Sequence, residues 1–567
     1  MTAVTTNLLL LLLLFCLPAN AQRHAVVIHE IMADPQPSIG LPEVEYIELR
    51  NRSAAPINLQ GWRLQTGSST SGAFPIYLLQ PDSLVVVCSR TNAVLFGQNT
   101  IGVTSFPALS NGGTTLVLVN GTGSLVHAVP YTTAWYGAAD KEGGGWSLEM
   151  IDAENPCGGA FNWRAAQHPL GGTPGGPNSV EGKNRDDTPP ALLSATAPDS
   201  LHLLLRFDEA LDSAAAANAH AFEMSTGISI VAAAPQPPLY QQVLLTLQKP
   251  MQISMVYTVK VQGVQDCTGN VLGSRSSVPA GLPQTAMAGD VVINEVLFNP
   301  KPGGSDYVEL YNRGKKIIDL SGLSLTHSST TAIGSQLPKL TKEPHYLFPG
   351  QHVVVAEDRD AVLRHFLVKN EALLLEVAAL PSMPDDKGTI TLWNEAGQIV
   401  DALAYHHNWH FALLTEKDGV ALERINPAAP TQQSSNWTSA AATAGFGTPT
   451  YANSQLHQHT TAAMVWSIAP QVFSPDGDGF DDFCTITYQL DAPNYVANLQ
   501  IFDASGRLVR RLVQNQTLTQ TGSFRWNGLS DAGSALPTGN YILLIEIFNL
   551  QGKKQQWKQT VVLARRR

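Results

Sequence analysis

Val26-Val27-Ile28-His29-Glu30, followed by Tyr46-Ile47-Glu48-Leu49-Arg50-Asn51-Arg52, returns later in the chain as Val291-Val292-Ile293-Asn294-Glu295, followed by Tyr307-Val308-Glu309-Leu310-Tyr311-Asn312-Arg313. The echo continues. Ile57-Asn58-Leu59-Gln60-Gly61-Trp62 returns as Ile318-Asp319-Leu320-Ser321-Gly322-Leu323, Asn162-Trp163 as Asn436-Trp437, and Gly172-Thr173-Pro174 with Asn178-Ser179 as Gly447-Thr448-Pro449 with Asn453-Ser454. The step is 265 residues from Glu30 to Glu295 and 275 from Pro174 to Pro449, a drift that loop insertions produce and cores do not tolerate. A unit of this length exceeds solenoid repeats of roughly 20–50 residues, so the chain contains a duplicated domain.

Each copy reads as strands. Ala25 to Met32 is apolar, Tyr46 to Arg50 alternates, and Ser83 to Cys88 and Thr114 to Val119 are short β-branched runs. Asn111-Gly112-Gly113 and Asn120-Gly121-Thr122-Gly123 supply turns around one of them. The second copy has matching runs at Gln351 to Ala356 and Thr389 to Trp393. Helical periodicity is nearly absent, which implies sandwiches or barrels.

Outward from the repeat lie two further units. Residues 184–283 carry strands at Leu201 to Phe207, Val243 to Leu247 and Tyr257 to Val261 behind the extended linker Asp186-Asp187-Thr188-Pro189-Pro190. Residues 464–567 carry alternating strands at Leu499 to Asp503 and Tyr541 to Asn549. The expected organisation is therefore a signal segment 1–21, a first copy 22–180, an immunoglobulin-like unit 184–283, a second copy 288–454, a linker 455–463 and a C-terminal unit 464–567. The expected fold class is all-β: four tandem immunoglobulin-like β-sandwiches after a cleaved signal peptide.

Leu8 to Leu14, then Phe15-Cys16-Leu17 and Ala19-Asn20-Ala21, read as an apolar export segment with a small-x-small cleavage site. That run is too short to span a bilayer, which takes roughly 20 residues. The net charge of −11 and a single basic cluster, Arg565-Arg566-Arg567, exclude a phosphate-tracking surface, so nucleic acid is not an expected partner. Four cysteines follow the signal: Cys88, Cys157, Cys267 and Cys484. In an oxidising compartment Cys88 with Cys157, or Cys157 with Cys267, can pair, and the sequence does not choose.

The repeated unit resembles the lamin-tail domain, an immunoglobulin-like sandwich. Its carriers are Ile28-His29-Glu30-Ile31 with Pro35, Tyr46 to Asn51 and Asn58 to Trp62, and in the second copy Ile293-Asn294-Glu295-Val296 with Pro300, Tyr307 to Asn312 and Asp319 to Gly322. His29 departs from the usual Asn, which Asn294 keeps. Residues 184–283 are similar to surface-layer-type Ig-like domains, on Phe207-Asp208-Glu209 and Asp266-Cys267-Thr268-Gly269-Asn270. The C-terminal unit resembles Ig-like domains of proteins exported by type IX secretion. It does so on Phe473-Ser474-Pro475-Asp476-Gly477-Asp478-Gly479, Ile501 to Arg507 and Leu536 to Tyr541. That resemblance implies export machinery as a partner and a location at the outer surface or beyond.

Four groups invite a chemical reading. Asp476, Asp478, Asp481 and Asp482, with glycines between, offer oxygens to calcium, the one cofactor the sequence points to; the competing reading is a solvated turn. Glu30/Glu295 and Glu48/Glu309 are expected to accept bonds from backbone or a neighbouring Arg at a strand edge, rather than to catalyse. His406-His407-Asn408-Trp409-His410, with His457 and His459, lacks a zinc spacing and reads as a partly exposed loop. Trp163 and Trp437 occupy equivalent places and read as core, Asn51/Asn312 and Gly61/Gly322 as turn residues. No nucleophile elbow or dinucleotide glycine pattern occurs. The functional expectation is a non-catalytic exported surface protein for adhesion or envelope scaffolding, with a protein or glycan partner. The alternative is an accessory of a separate secreted hydrolase, a nuclease or phosphatase.

Overall fold

The computed structural model describes residues 23–327, 337–457 and 463–565. The signal segment, His459 and most of the 455–463 linker lie outside the described residues. The chain forms two compact units. One comprises the first copy and the immunoglobulin-like unit up to Ala280, less Gln252–Val256; the other comprises the second copy and the C-terminal unit. Among the described residues no helix is long and apolar enough to cross a membrane.

In the first copy a six-stranded sheet runs in the order Trp163–Ala165, Leu148–Met150, Val26–Met32, Tyr46–Asn51, Leu84–Ser89, Thr100–Val103, the last pair parallel. A second sheet contains Leu125–Thr132, Gly113–Val119, Arg63–Thr66 and Ser69–Thr70. Ile28, Ile47, Leu49, Val85 and Val87 of the first pack against Leu64, Leu116, Leu118, Val126 and Val129 of the second. The β-branched residues that favour extended backbone thus also fill the core. Trp163 is buried beneath them, as is Trp437 in the second copy.

The second copy repeats the order Trp437–Ser439, Leu422–Arg424, Val291–Leu297, Tyr307–Asn312, His352–Ala356, Leu374–Glu376, again with a parallel last pair. The parallel partners are Cys88 with Gly102 in the first copy and Ala356 with Glu376 in the second. The second connection is therefore six residues longer, and it folds as the helix Arg359–His365 where the first has a 3-10 turn, Ala93–Phe96. Six residues of the drift enter here, and seven enter between Ile57 and Cys88, where the step rises from 261 to 268.

Residues 192–280 form a four-plus-three sandwich. One sheet holds Leu192–Asp199, His202–Phe207, Gln242–Leu247 and Ile230–Pro235; the other holds Phe222–Met224, Tyr257–Val261 and Ser277–Ala280. A disulfide joins Cys157 of the first copy to Cys267 of this sandwich, with 6.5 Å between Cα atoms. Cys88 and Cys484 are buried free thiols, so of the two pairings only the one through Cys267 forms. Cys88 packs with Met32, Tyr46 and Val86, and burial pushes its thiol up to about 11. The C-terminal unit stacks a three-stranded sheet (Val465–Ala469, Cys484–Gln489, Thr521–Trp526) on a five-stranded one around Phe473, Trp526, Tyr541 and Ile545.

Candidate functional site

All seven residues of Val26–Met32 are buried, as are all seven of Val291–Leu297, although one sheet face should meet water. The cover on that face is the C-terminal tail of the same copy, residues 172–180 or 447–455. What it covers is a row of glutamates. Glu30 lies directly opposite Glu48 on one side and Glu149 on the other; Glu295 lies between Glu309 and Glu423 in the same way. All six are fully buried. Like charges directly opposite one another destabilise a sheet, so the row persists only because the tail supplies donors.

The tail does so with the same bonds in both copies. The Thr173 amide donates to Glu30 Oε1 at 2.8 Å, and the Thr448 amide to Glu295 Oε1 at 2.9 Å. The Gly175 amide donates to Glu48 Oε2, and the Thr450 amide to Glu309 Oε2 at 2.7 Å. Ser179 Oγ and the Val180 amide donate to Glu149 Oε2, as Ser454 Oγ and the Gln455 amide do to Glu423 Oε2. Asn178 Nδ2 bonds the carbonyls of His29 and Met150, and Asn453 Nδ2 those of Asn294 and Arg424. Gly172 is required for this approach: a Cβ there would lie 2.6 Å from Glu30 Oε1 and 2.8 Å from Tyr46 Oη.

Burial first, and Glu48 second, push Glu30 up to about 8; burial likewise pushes Glu48 to about 8. Burial and the neighbouring Glu423 and Glu309 hold Glu295 well above the usual range. Hydrogen geometry agrees. Thr448 Oγ1 lies within bonding distance of both Glu295 and Glu423, and a hydroxyl has one hydrogen, so one contact uses a carboxyl proton. In the first copy Glu30 Oε1 accepts from Tyr46 Oη, Ser147 Oγ and the Thr173 amide, while the buried Oε2 has no donor to compensate a charge.

The two copies place an imidazole differently. His29 Nδ1 stands 3.4 Å from Glu48 Oε1. Burial and Arg50 lower His29 to about 4 while Glu48 rises, so the contact is between neutral groups and not an ion pair. In the second copy Asn294 Nδ2 donates to Glu309 Oε1, and the histidine is His352, on the next strand, 3.0 Å from the same oxygen.

These positions correct two sequence expectations. The glutamates accept backbone amides, as expected, but they sit mid-sheet and not at an edge, and among the described residues no Arg joins them. His410 is buried and bonded to Ser439 Oγ, unlike the half-buried His406 and the exposed His407. Asn51 and Asn312 keep their turn role, accepting from the Ser53 and Gly314 amides, and are also fully buried, donating to the Ala55 and Leu79 carbonyls and to the Lys316 and Leu347 carbonyls. Sequence reasoning missed the third glutamate. Its signal was present, since Leu148-Glu149 and Leu422-Glu423 keep the 274-residue step of Trp163 and Trp437.

Asp476, Asp478 and Asp482 each bring an oxygen within 4.8 Å of the others, while Asp481 does not join them. Asp482 accepts from the Gly477 and Gly479 amides, and Asp478 from the Phe480 amide, in an exposed loop. The tail of the second copy also reaches the C-terminal unit. Gln455 Nε2 donates to the Leu518 carbonyl, Gln455 Oε1 accepts from the Asn494 amide, and the Gln520 amide donates to the Ser454 carbonyl. The Ala442 amide donates to Thr517 Oγ1 and the Thr519 amide to Thr443 Oγ1. Ser454 and Gln455 therefore seal Glu423 on one side and hold the C-terminal unit on the other.

Residues 19–133 and 284–407 match the Lamin Tail Domain family, and residues 467–563 match the CHU_C type IX secretion signal domain. The lamin-tail matches end before Glu149 and Glu423. No curated protein matches the chain. Among solved structures, the N-terminal part of the bacterial S-layer protein SbsC is 18% identical over 29% of this chain and 39% of its own, at a TM-score of 0.16. SbsC domains 1–6 are 11% identical over 67% of this chain and 54% of theirs, also at 0.16. PorZ, a surface component of the type IX secretion system of Porphyromonas gingivalis, is 10% identical over 88% and 75%, at 0.17. The chain thus spans about two fifths and about half of the two SbsC structures.

Proposed function

We propose, for a chain that carries two lamin tail domains and ends in a type IX secretion signal domain, a non-catalytic role at the cell surface: adhesion or envelope scaffolding by rigid sandwiches that offer loops and sheet edges to a protein or glycan partner. One observation carries this reading. The most chemically provocative residues, six buried glutamates, are sealed by their own domain's tail, twice over, in bonds that leave no path to a substrate. A general acid or base must reach the proton it moves, and burial beneath the tail counts against that role. The immunoglobulin-like unit serves as spacer, and the C-terminal unit directs export.

Surface proteolysis of intact cells tests the reading, comparing the full chain with one ending at Ala463. Exposure of the full chain and retention of the shorter one inside the outer membrane supports export through the C-terminal unit and a surface role. Equal placement of both removes it. For the loop at Asp476, Asp478 and Asp482 we propose calcium as the ion its oxygen donors suit. Calorimetric titration of calcium into the full chain decides: heat abolished by Asp→Asn changes at all three supports it, and no heat from the unaltered chain rejects it.

A further inference from the structure

The Cys157–Cys267 bond closes a separation of 110 residues and joins two sandwiches within one compact unit. Around it the joint is both apolar and polar: Val129, Trp135 and Trp163 of one sandwich share a cleft with Ala210, Pro238 and Leu239 of the other. Asn184 donates to Asp152 and to the Phe161 carbonyl, Asn155 Nδ2 donates to the Asn184 carbonyl, and Asn270 Nδ2 to the Asp186 carbonyl. Arg23 lies over the Tyr240 ring, 4.2 Å from its centre. The connecting stretch 181–189 is mostly exposed, without regular structure, and includes Lys183 and Arg185. The polar bonds, mostly part-buried, contribute modestly each, and the disulfide adds a covalent tie between the two sandwiches. Both cysteines are only partly buried, and Cys157 lines a cleft with His24, Trp135, Pro156 and Gly159.

We propose that this disulfide is a redox-gated clasp: oxidised, it fastens the first lamin tail domain and the immunoglobulin-like unit into one stiff segment; reduced, it lets them move about residues 181–190. The gate is thiol–disulfide exchange with a dithiol reductant. A thiolate of the reductant attacks Cys157 Sγ, the bond to Cys267 breaks, and Cys267 leaves as a thiolate and takes a proton. The second thiol of the reductant then displaces Cys157. The reductant ends as a disulfide, and two electrons and two protons end on the two cysteines. Cys88 and Cys484, buried in separate cores, take no part.

Trypsin cleavage after Lys183 and Arg185 in the full chain reads the clasp, followed on reducing gels. Cleavage is expected to speed up on the order of tenfold when dithiothreitol is present, as a stapled segment becomes free to open. Cys157→Ser should cleave at the faster rate with or without dithiothreitol, with an unchanged β-sheet circular dichroism spectrum. If that variant misfolds, the native chain with and without dithiothreitol still gives the answer. Equal cleavage rates in oxidised and reduced native chain overturn the proposal. So does full alkylation of both cysteines by iodoacetamide before reduction.

Discussion

Raising the pH from 6.5 to 8 is expected to loosen the first lamin tail domain. Glu30 and Glu48 are held at about 8, against 4.5 for a free side chain, by burial on adjacent strands. A carboxyl whose pKa is raised by folding keeps its proton in the folded state after the unfolded chain has lost it, so stability falls as pH climbs from 4.5 towards 8. Below 6.5 a second set of groups pulls the other way. His24 is held at about 2, and His29 and His127 at about 4, chiefly by burial, so the unfolded chain takes up protons there that the fold refuses. The two effects oppose one another in mild acid, three histidines against two glutamates. Above 6.5 the unfolded histidines, half-protonated at their ordinary value of 6.5, shed their remaining protons, which offsets about 1 kcal/mol of the glutamate effect. Each retained proton is worth about 1.4 kcal/mol per pH unit and is half lost by pH 8, so each glutamate contributes about 1.6 kcal/mol and the net fall between pH 6.5 and 8 is about 2 kcal/mol. That is a sizeable part of a typical total of roughly 5–15 kcal/mol. Hydrogen exchange of the Val26–Met32 and Tyr46–Asn51 amides in the full chain, corrected for its intrinsic pH dependence, measures it in this domain alone. Glu30→Gln should remove most of the fall. Exchange free energies that are flat or rise from pH 6.5 to 8 would refute the buried-acid account.

Three further outcomes follow from the same geometry. Thr448→Val removes the hydroxyl shared by Glu295 and Glu423 and should cost about 1–3 kcal/mol, seen as an earlier calorimetric transition of the second copy. Gly172→Ala drives a methyl into Glu30 and Tyr46 and should cost about 1–3 kcal/mol in the first copy, read by the same exchange experiment. Gln455→Ala breaks two bonds to the C-terminal unit and should expose the chain between the two to protease, leaving the melting of each sandwich nearly unchanged.

The duplicated sandwich was legible from Val26-Val27-Ile28 and Tyr46-Ile47-Glu48-Leu49, because β-branched alternation and a second copy in register both point to strands. The core places of Trp163 and Trp437 were legible for the same reason. The glutamate row was half legible: Glu30 and Glu48 stood out, but their cross-strand pairing with Glu149 depends on a strand more than a hundred residues away, which local pattern does not reveal. The exchange of His29 for His352 was hidden because the same oxygen is reached from different strands. The choice of Cys267 as the partner of Cys157 depends on how two sandwiches meet, which spacing alone leaves open.

The tail that seals each glutamate row is the last part of its domain to be synthesised. Glu30, Glu48 and Glu149 leave the ribosome before the amides and hydroxyls of residues 173–180 that receive them. Until those residues arrive, pairing the strands would bring three unsatisfied carboxyls side by side, so the nascent domain has reason to remain open. The glutamate row of each copy is therefore satisfied only once the last residues of that copy are in place.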